Sequence, residues 1–415
     1  MESHQDNVRL DELDHRRLVG KLDLCHFEDG VPGVAFWHPR GATLLRVLRE
    51  WLRGGMVEAG WQEVETPQLM PRSSWEASGH LKHYGKGMFA VRPAEGEDDG
   101  DGALLKPMNC PGAASVYAKG SRSWRDLPLR LSEFGRCHRR EPSGAMHGLL
   151  RLRGFEQDDG HAFVVDDEEA VSSEVAAFIA FSGRVYQALG FPAPDMAMSL
   201  RPDDRAGDDV SWDRAEQLLA ESAKRAGVEP RPMPGEGAFY GPKLELSLRD
   251  RAGRSWQCGT IQLDLVLPAR LGLHYRDKDG RDRPPALLHR AALGSLERMV
   301  GILLEHYEGK LPDWLVPEQV AILPVGEAHA PRAAEVVRLL RRQGMRVRYD
   351  QSAHLVRPRL GDRISEALEV AVPAVVVVGA KEMESGLLAV SMDGAREAMS
   401  VDSLAGLAKW SPPLL

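Results

Sequence analysis

The sequence predicts an α+β domain built on an antiparallel sheet, followed by a small, largely parallel α/β domain of about 100 residues. Three observations carry this reading. The 415 residues exceed one ordinary core, at roughly 100–200 residues per domain. Up to residue 312, alternating strand patterns are interspersed with long helical ones. From Val316 onward, short apolar runs alternate with short helices, as parallel strands joined by crossover helices do.

Composition narrows the function classes. Hydrophobic residues make up 43% and charged residues 27%, which excludes wholesale disorder. The net charge of −8 argues against a surface coated in positive charge but leaves room for a local basic face. No apolar run approaches the roughly 18 residues that cross a bilayer, and the polar start is no secretory signal, so no membrane association is expected. Cys25, Cys110, Cys137 and Cys258 are too scattered for a disulfide framework, and a reducing, cytoplasmic setting is expected. Walker and GxGxxG loops are absent from the sequence.

In chain order, residues 41–59 have helical spacing and 61–67 alternate as a strand stopped by Pro67. The five acids of 95–101 read as a solvated loop. Helices are expected over 166–189 and 212–226, and a strand with one wet face over 256–267. Pro312 and Pro317 suggest a hinge. Beyond it, strands are expected at Val320–Pro324, 345–349 and 375–378, with helices at 332–343 and 360–370.

The densest polar stretch runs over 134–161, with Arg130, Arg136, Arg139, Arg140, Arg151 and Arg153 in or just before it. Arginine forks bind phosphate oxygens and stabilise a pentavalent transition state. A turn at Pro142-Ser143-Gly144 would fold the segment into a hairpin aimed at one polyphosphate; a solvated charged hairpin has the same composition. Residues 289–298 read as helical, with Arg298 on a buried face, facing either an acidic partner or an anionic ligand. Cys110, His161 and His289 would bind Zn²⁺ with a fourth position open, but their separations do not distinguish them from buried structural residues.

Five stretches in order, 107–112 (PMNCPG), 134–161, 235–243 (GEGAFYGPK), 256–264 (WQCGTIQLD) and 289–298 (HRAALGSLER), resemble class II aminoacyl-tRNA synthetases, specifically the threonyl family. The resemblance covers nearly the whole chain. It implies a six- or seven-stranded antiparallel catalytic sheet over 31–312 and an anticodon-binding α/β domain over 316–415, after an N-terminal extension over 1–30. The helix and strand ending at Pro67 look like motif 1, the family's homodimer interface. By family role, Arg139 holds the α-phosphate, Glu141 reads adenine, Arg151 takes the γ-phosphate and Phe155 stacks on the base. Gln257 and Thr260 join the ATP site, Arg298 completes it, and Lys243 reaches the α-phosphate or the threonine carboxylate. Cys110, His161 and His289 match the ligands of one Zn²⁺ per subunit, and Mg²⁺ accompanies ATP. Asp159 would accept from the threonine hydroxyl, with Gln157, Tyr240 and Gln262 lining the pocket, and His80 would assist transfer to the tRNA ribose. The implied reaction makes threonyl-adenylate and charges tRNA(Thr).

Three departures qualify the resemblance. The chain starts a dozen residues before the core, which implies no editing domain in cis, formation of seryl-tRNA, and room for a separate editing protein acting in trans. Ala113 stands where relatives commonly carry histidine, for which a local packing change is expected. From Val316 onward there are 12 basic and 12 acidic residues, and the strand after Gly386 lacks the family's arginines, which weakens the expected grip on the anticodon. A paralogue that activates threonine for a carrier protein or small-molecule acceptor is the alternative, and a non-catalytic regulator of tRNA or threonine is a third reading.

Overall fold

The computed structural model describes residues 12–92, 94, 102–250, 252–352 and 359–415. The acidic stretch 95–101 and residues 1–11 lie outside the described residues. The chain divides into two compact units. One comprises Phe27–Val34 and Leu52–Ile302 with Leu415; the other comprises the described residues up to His26 with Ala35–Trp51 and Leu303–Leu414.

Helix α1 (Pro39–Glu58) starts on a proline, whose missing N–H costs nothing in the first turn. Its buried Leu44, Leu45, Leu48, Trp51 and Leu52 recur at helical spacing, and Gly60, at φ 80°, ends the segment. Strand β1 covers only Gln62–Glu63, shorter than the sequence predicts. After it, the Val64 amide still bonds Ser132, but the Thr66 amide turns to the carboxylate of Glu133, and Pro67 has no donor.

The larger unit is organised by one sheet: β1, β2 (Leu129–His138), β3 (Gly154–Val164), β4 (Asp195–Ser199), β5 (Arg231–Met233), β6 (Lys243–Arg249), β7 (Ser255–Asp264) and β8 (Ala286–Ser295). The eight strands lie in the order β5-β4-β6-β7-β8-β3-β2-β1. The six inner strands are antiparallel, as the fold class requires, but the sheet is wider than six or seven strands, and its outermost pairs, β5–β4 and β2–β1, are parallel. Helix α2 (Cys110–Tyr117) supplies Ala114 and Tyr117 to a core with Leu131, Phe163 and Leu287. Helices α3 (Glu168–Ala188) and α4 (Asp209–Arg225) are N-capped by Asp167 and Asp208 and meet through a Ser172–Ser222 hydrogen bond.

Two expectations are corrected here. Residues 289–295, read as helical, form the central strand β8; helix α5 (Leu296–His306) begins only after them. A strand buried on both faces has no apolar–polar alternation, so an unbroken apolar run imitates a helix. In β7, the face assigned to solvent is instead a pocket floor, with Thr260 only 7% exposed.

In the second unit, β9 (Val320–Pro324), β10 (Val347–Tyr349), β11 (Ala374–Val378), β12 (Leu388–Met392) and β13 (Ala395–Met399) form a five-stranded sheet ordered β10-β9-β11-β12-β13. Its first three strands are parallel and the last two antiparallel, so the sheet is only partly parallel. Val320 and Ile322 pack with Val336 and Leu340 of helix α6 (Ala330–Arg342). Ala321 and Leu323 pack with Ala367 of α7 (Leu360–Glu369) on the other face. Burial on both faces explains the unbroken apolar strands. Within residues 312–317, where the prolines suggest a hinge, Trp314, Leu315 and Val316 are buried.

Candidate active site

Strand register assembles the site. His289 of β8 lies opposite His161 of β3 on one side and Gln262 of β7 on the other, and Ala291 lies opposite Asp159 and Thr260. Paired residues share a face, so Gln157, Asp159, His161, His289, Thr260 and Gln262 project together although up to 132 positions separate them. Lys243 of β6, opposite Gln262, joins the row.

Cys110 enters from the N-terminus of α2, and its Sγ and the nearest His161 and His289 ring nitrogens all lie within 4.8 Å of one another. All three residues are buried. Burial lowers His161 to about 4, which keeps its imidazole neutral with a lone pair to donate. Burial, then Asp159, raises the Cys110 thiol well above its ordinary range, so ionisation needs a compensating cation. The Nε2 of His289 meets the Asp264 carboxylate at 3.0 Å, which fixes the ring and leaves its other nitrogen for a ligand. Asp264 is itself held by the amides of Val266 and Leu267. One cysteine sulfur, two imidazole rings and a carboxylate behind one of them form a donor set that fits Zn²⁺.

Beside the triplet, Asn109 donates to Asp159 at 2.9 Å. Asn109 occupies the space that a Cβ at position 135 would enter, 2.3 Å from its Oδ1, so Gly135 is needed for this contact. The Tyr240 hydroxyl donates to Gln262 at 2.7 Å, and its ring stacks on His289 at 4.7 Å. Asp159, Tyr240, Gln262 and the triplet line a small recess of about 50 Å³. Arg139, Gln157, Thr260 and Gln262 line both this recess and an adjoining cleft of about 700 Å³.

The cleft gathers the charged residues. Arg139 donates Nε to the Pro107 carbonyl at 3.1 Å, with its guanidinium 5.0 Å from the Phe155 ring centre. Arg298 donates Nε to Leu150 O at 2.8 Å and another N–H to Gln257 O. Arg151 instead pairs with Glu141 at 2.9 Å, and Lys243 with Glu245 at 2.6 Å. The β2–β3 segment does fold back on itself, with Glu141, Arg151 and Phe155 on the cleft wall.

His80 lines neither space. It is fully buried, with Nε2 3.2 Å from Cys110 Sγ and Nδ1 2.9 Å from Ser78 Oγ. Burial lowers it to about 3, so it stays neutral. Ala113 is buried within α2. Sequence reasoning missed Asn109 and Asp264, although each lies within a stretch that carries site residues. It also passed over Asp158 and Glu297, whose only signal is an acid set among apolar or pocket residues.

This antiparallel sheet, with arginines lining a cleft beside a Cys-His-His recess, is that of a class II aminoacyl-tRNA synthetase catalytic core. Residues 89–307 match the family model described as tRNA synthetase class II core domain (G, H, P, S and T), and 319–409 match an anticodon binding domain. The chain is 47% identical to the threonine--tRNA ligase of Paraburkholderia phytofirmans over 92% of its own length and 59% of that protein. It therefore spans about three fifths of the length of the curated relatives it matches. A crystal structure titled as the RNA binding domain of threonyl-tRNA synthetase from Cryptosporidium parvum superposes with a TM-score of 0.89 at 36% identity, covering 96% of this chain and 99% of that one. A Giardia lamblia prolyl-tRNA synthetase shares the fold at 17% identity and TM-score 0.73, over 96% and 77% of the two chains. The chain belongs to the threonyl-tRNA synthetase family.

Proposed function

We propose that the chain joins L-threonine to the 3′-terminal adenosine of tRNA(Thr) through a threonyl-adenylate, with Mg²⁺ accompanying ATP and one Zn²⁺ held by Cys110, His161 and His289. The observation that carries this is adjacency: a recess with a metal-type donor set opens directly into a cleft of nucleotide size lined by arginines. The metal, when bound, supplies an electrophilic position for the amino group and β-hydroxyl of threonine together. Asp159, aimed by Asn109, accepts from that hydroxyl, and Gln157, Tyr240 and Gln262 enclose the substrate. Valine has no hydroxyl to offer, and a site built around a hydrogen bond rejects such an analogue strongly.

In the cleft, Arg139 and Arg298 neutralise charge on the α- and γ-phosphate oxygens, Phe155 stacks on adenine, and Gln257 and Thr260 contact the nucleotide. Glu141 reads the adenine amino group and Arg151 joins the γ-phosphate, so their mutual pair opens when ATP binds. Lys243 leaves Glu245 for the α-phosphate or the threonine carboxylate. A threonine carboxylate oxygen then attacks the α-phosphorus, and pyrophosphate departs with the bonding pair. The ribose hydroxyl of the terminal adenosine next attacks the adenylate carbonyl and releases AMP. Alignment and charge compensation supply the catalysis. His80 serves this chemistry by holding Cys110. The α1–β1 segment is the proposed homodimer interface, the 319–409 region the proposed anticodon contact, and the cytoplasm the proposed setting.

Threonine-dependent ATP–pyrophosphate exchange, followed by acylation of total tRNA, tests the proposal. Zinc is expected at one per chain, with valine slower than threonine by roughly 10⁴-fold and serine by only about 10–200-fold. Exchange that proceeds equally with valine, or a chain that binds no zinc, would overturn it. Exchange without acylation would favour a different acceptor.

A further inference from the structure

Asp158 sits on β3 between Gln157 and Asp159, two residues that line the site, yet its own carboxylate turns the other way. Opposite it, the β3–β8 ladder breaks: Ala291 pairs with Asp159 and Ser295 with Gln157, so Ala292, Leu293 and Gly294 face one residue. Such a bulge strands backbone donors. Asp158 collects all three, accepting from Ala292 N at 2.7 Å, Leu293 N at 3.0 Å and Gly294 N at 2.8 Å. The bulge also requires glycine, because Gly294 has φ 75° and a Cβ there would lie 2.3 Å from Cys258 O.

The first turn of α5 leaves directly from this bulge. Glu297, also buried, reaches back to accept the Glu156 N–H at 3.0 Å, and the Ser295 hydroxyl accepts the Arg298 N–H at 3.2 Å. Two carboxylates thus cross-brace β3 to the segment that delivers Arg298: Asp158 before the turn, Glu297 within it. The guanidinium then needs only the carbonyls of Leu150 and Gln257 to hold its place in the cleft.

We propose that Asp158 is a positioning residue for ATP: its carboxylate sets the β8 bulge and, through it, the position of Arg298. This rests on the ATP-dependent reading above. An asparagine of the same size has one acceptor oxygen and turns an N–H₂ group toward backbone donors, so the bulge would rearrange. The carboxylate faces away from the threonine recess, which should therefore be spared.

The test measures exchange by the whole chain in wild-type form and as Asp158→Asn and Glu297→Gln. D158N is expected to raise KM for ATP about tenfold, the effect of leaving buried donors unmet, with KM for threonine within about twofold and zinc still at one per chain. E297Q, which keeps one acceptor oxygen, should show the same ATP-selective shift at about threefold, and it carries the test if D158N does not accumulate as folded protein. Equal shifts in both KM values, or no shift in either, would overturn the inference. Wild-type protein without exchange would sink the ATP-dependent reading itself, whereas wild-type exchange with unselective variants would sink only the role of Asp158.

Discussion

The two units put similar arginines to different uses. In the larger unit, Arg139 and Arg298 are anchored through backbone carbonyls of Pro107, Leu150 and Gln257. A carbonyl orients a guanidinium without neutralising it, so the charge remains available in the cleft. In the smaller unit, most of the described arginines between positions 341 and 363 are tied to neighbouring groups of the same unit. Arg363 pairs with Asp350 and Arg348 with Glu366, Arg346 donates to the Val316 and Trp314 carbonyls, and Arg341 donates to Val347 O. Arg338 and Arg342 remain exposed on α6. A count of arginines therefore says little about anion binding; what each one is anchored to, and how deeply, says more.

Four measurements sharpen or break this contrast. The largest effect is expected from Arg298→Ala, which should lower the kcat of pyrophosphate exchange by about 10²–10³-fold, as loss of a transition-state donor does. An effect below tenfold would mean that the arginines held in the cleft are no more functional than those held within the smaller unit. Arg346→Ala should instead cost about 2 kcal/mol of stability in urea unfolding, from the loss of charged donors to two carbonyls, with exchange unchanged. Replacing Arg338 and Arg342 together by alanine should raise KM for tRNA about tenfold and flatten its logarithmic salt dependence by about one to two units, again sparing exchange. If tRNA affinity is unmoved, the exposed pair is not the RNA contact.

The smallest effect is in pH dependence, and the two units should respond with opposite sign. Burial raises Glu297 to about 7 against the pull of the Glu156 amide, so the stability linked to it is present below about pH 4.5 and is lost as pH rises through 7. Burial also pushes Asp350 up, but hydrogen bonds from Ser352 and Arg363 outweigh it and hold that carboxyl below the usual carboxylate range. Its stabilising contribution is present above the ordinary aspartate pKa and is lost as pH falls through the lowered value. The urea midpoint of the wild-type protein should fall between pH 4.5 and 7 by an amount that E297Q abolishes, whereas Asp350→Asn should lower the midpoint at neutral pH and converge on wild type only as pH falls below the ordinary aspartate range. The same pH response in both variants would contradict the assignment.

Much of the architecture could be read from local pattern. The helical spacing around Leu44, Leu48 and Leu52 and the β-branched run at 375–378 depend on burial of neighbouring residues, which short-range periodicity records. The clustered arginines were equally visible, and the five family stretches added roles for them. Residues 289–295 could not be read this way, because a strand covered on both faces looks like a helix. The pairing of Arg151 with Glu141 was also hidden, since no local spacing says which neighbour an arginine chooses.

Local residue pattern was enough to read the order of fold types, most helices, and the residue types able to bind phosphate and zinc. Strand pairing and packing bring Cys110, His161 and His289 together, turn Asp159 toward the recess and Asp158 away from it, and set His80 behind the thiol. The reason is that helical periodicity arises from contacts within a few residues, whereas the site is set by strand register between segments more than a hundred residues apart. Moving one strand by a single position would turn every one of its side chains to the opposite face.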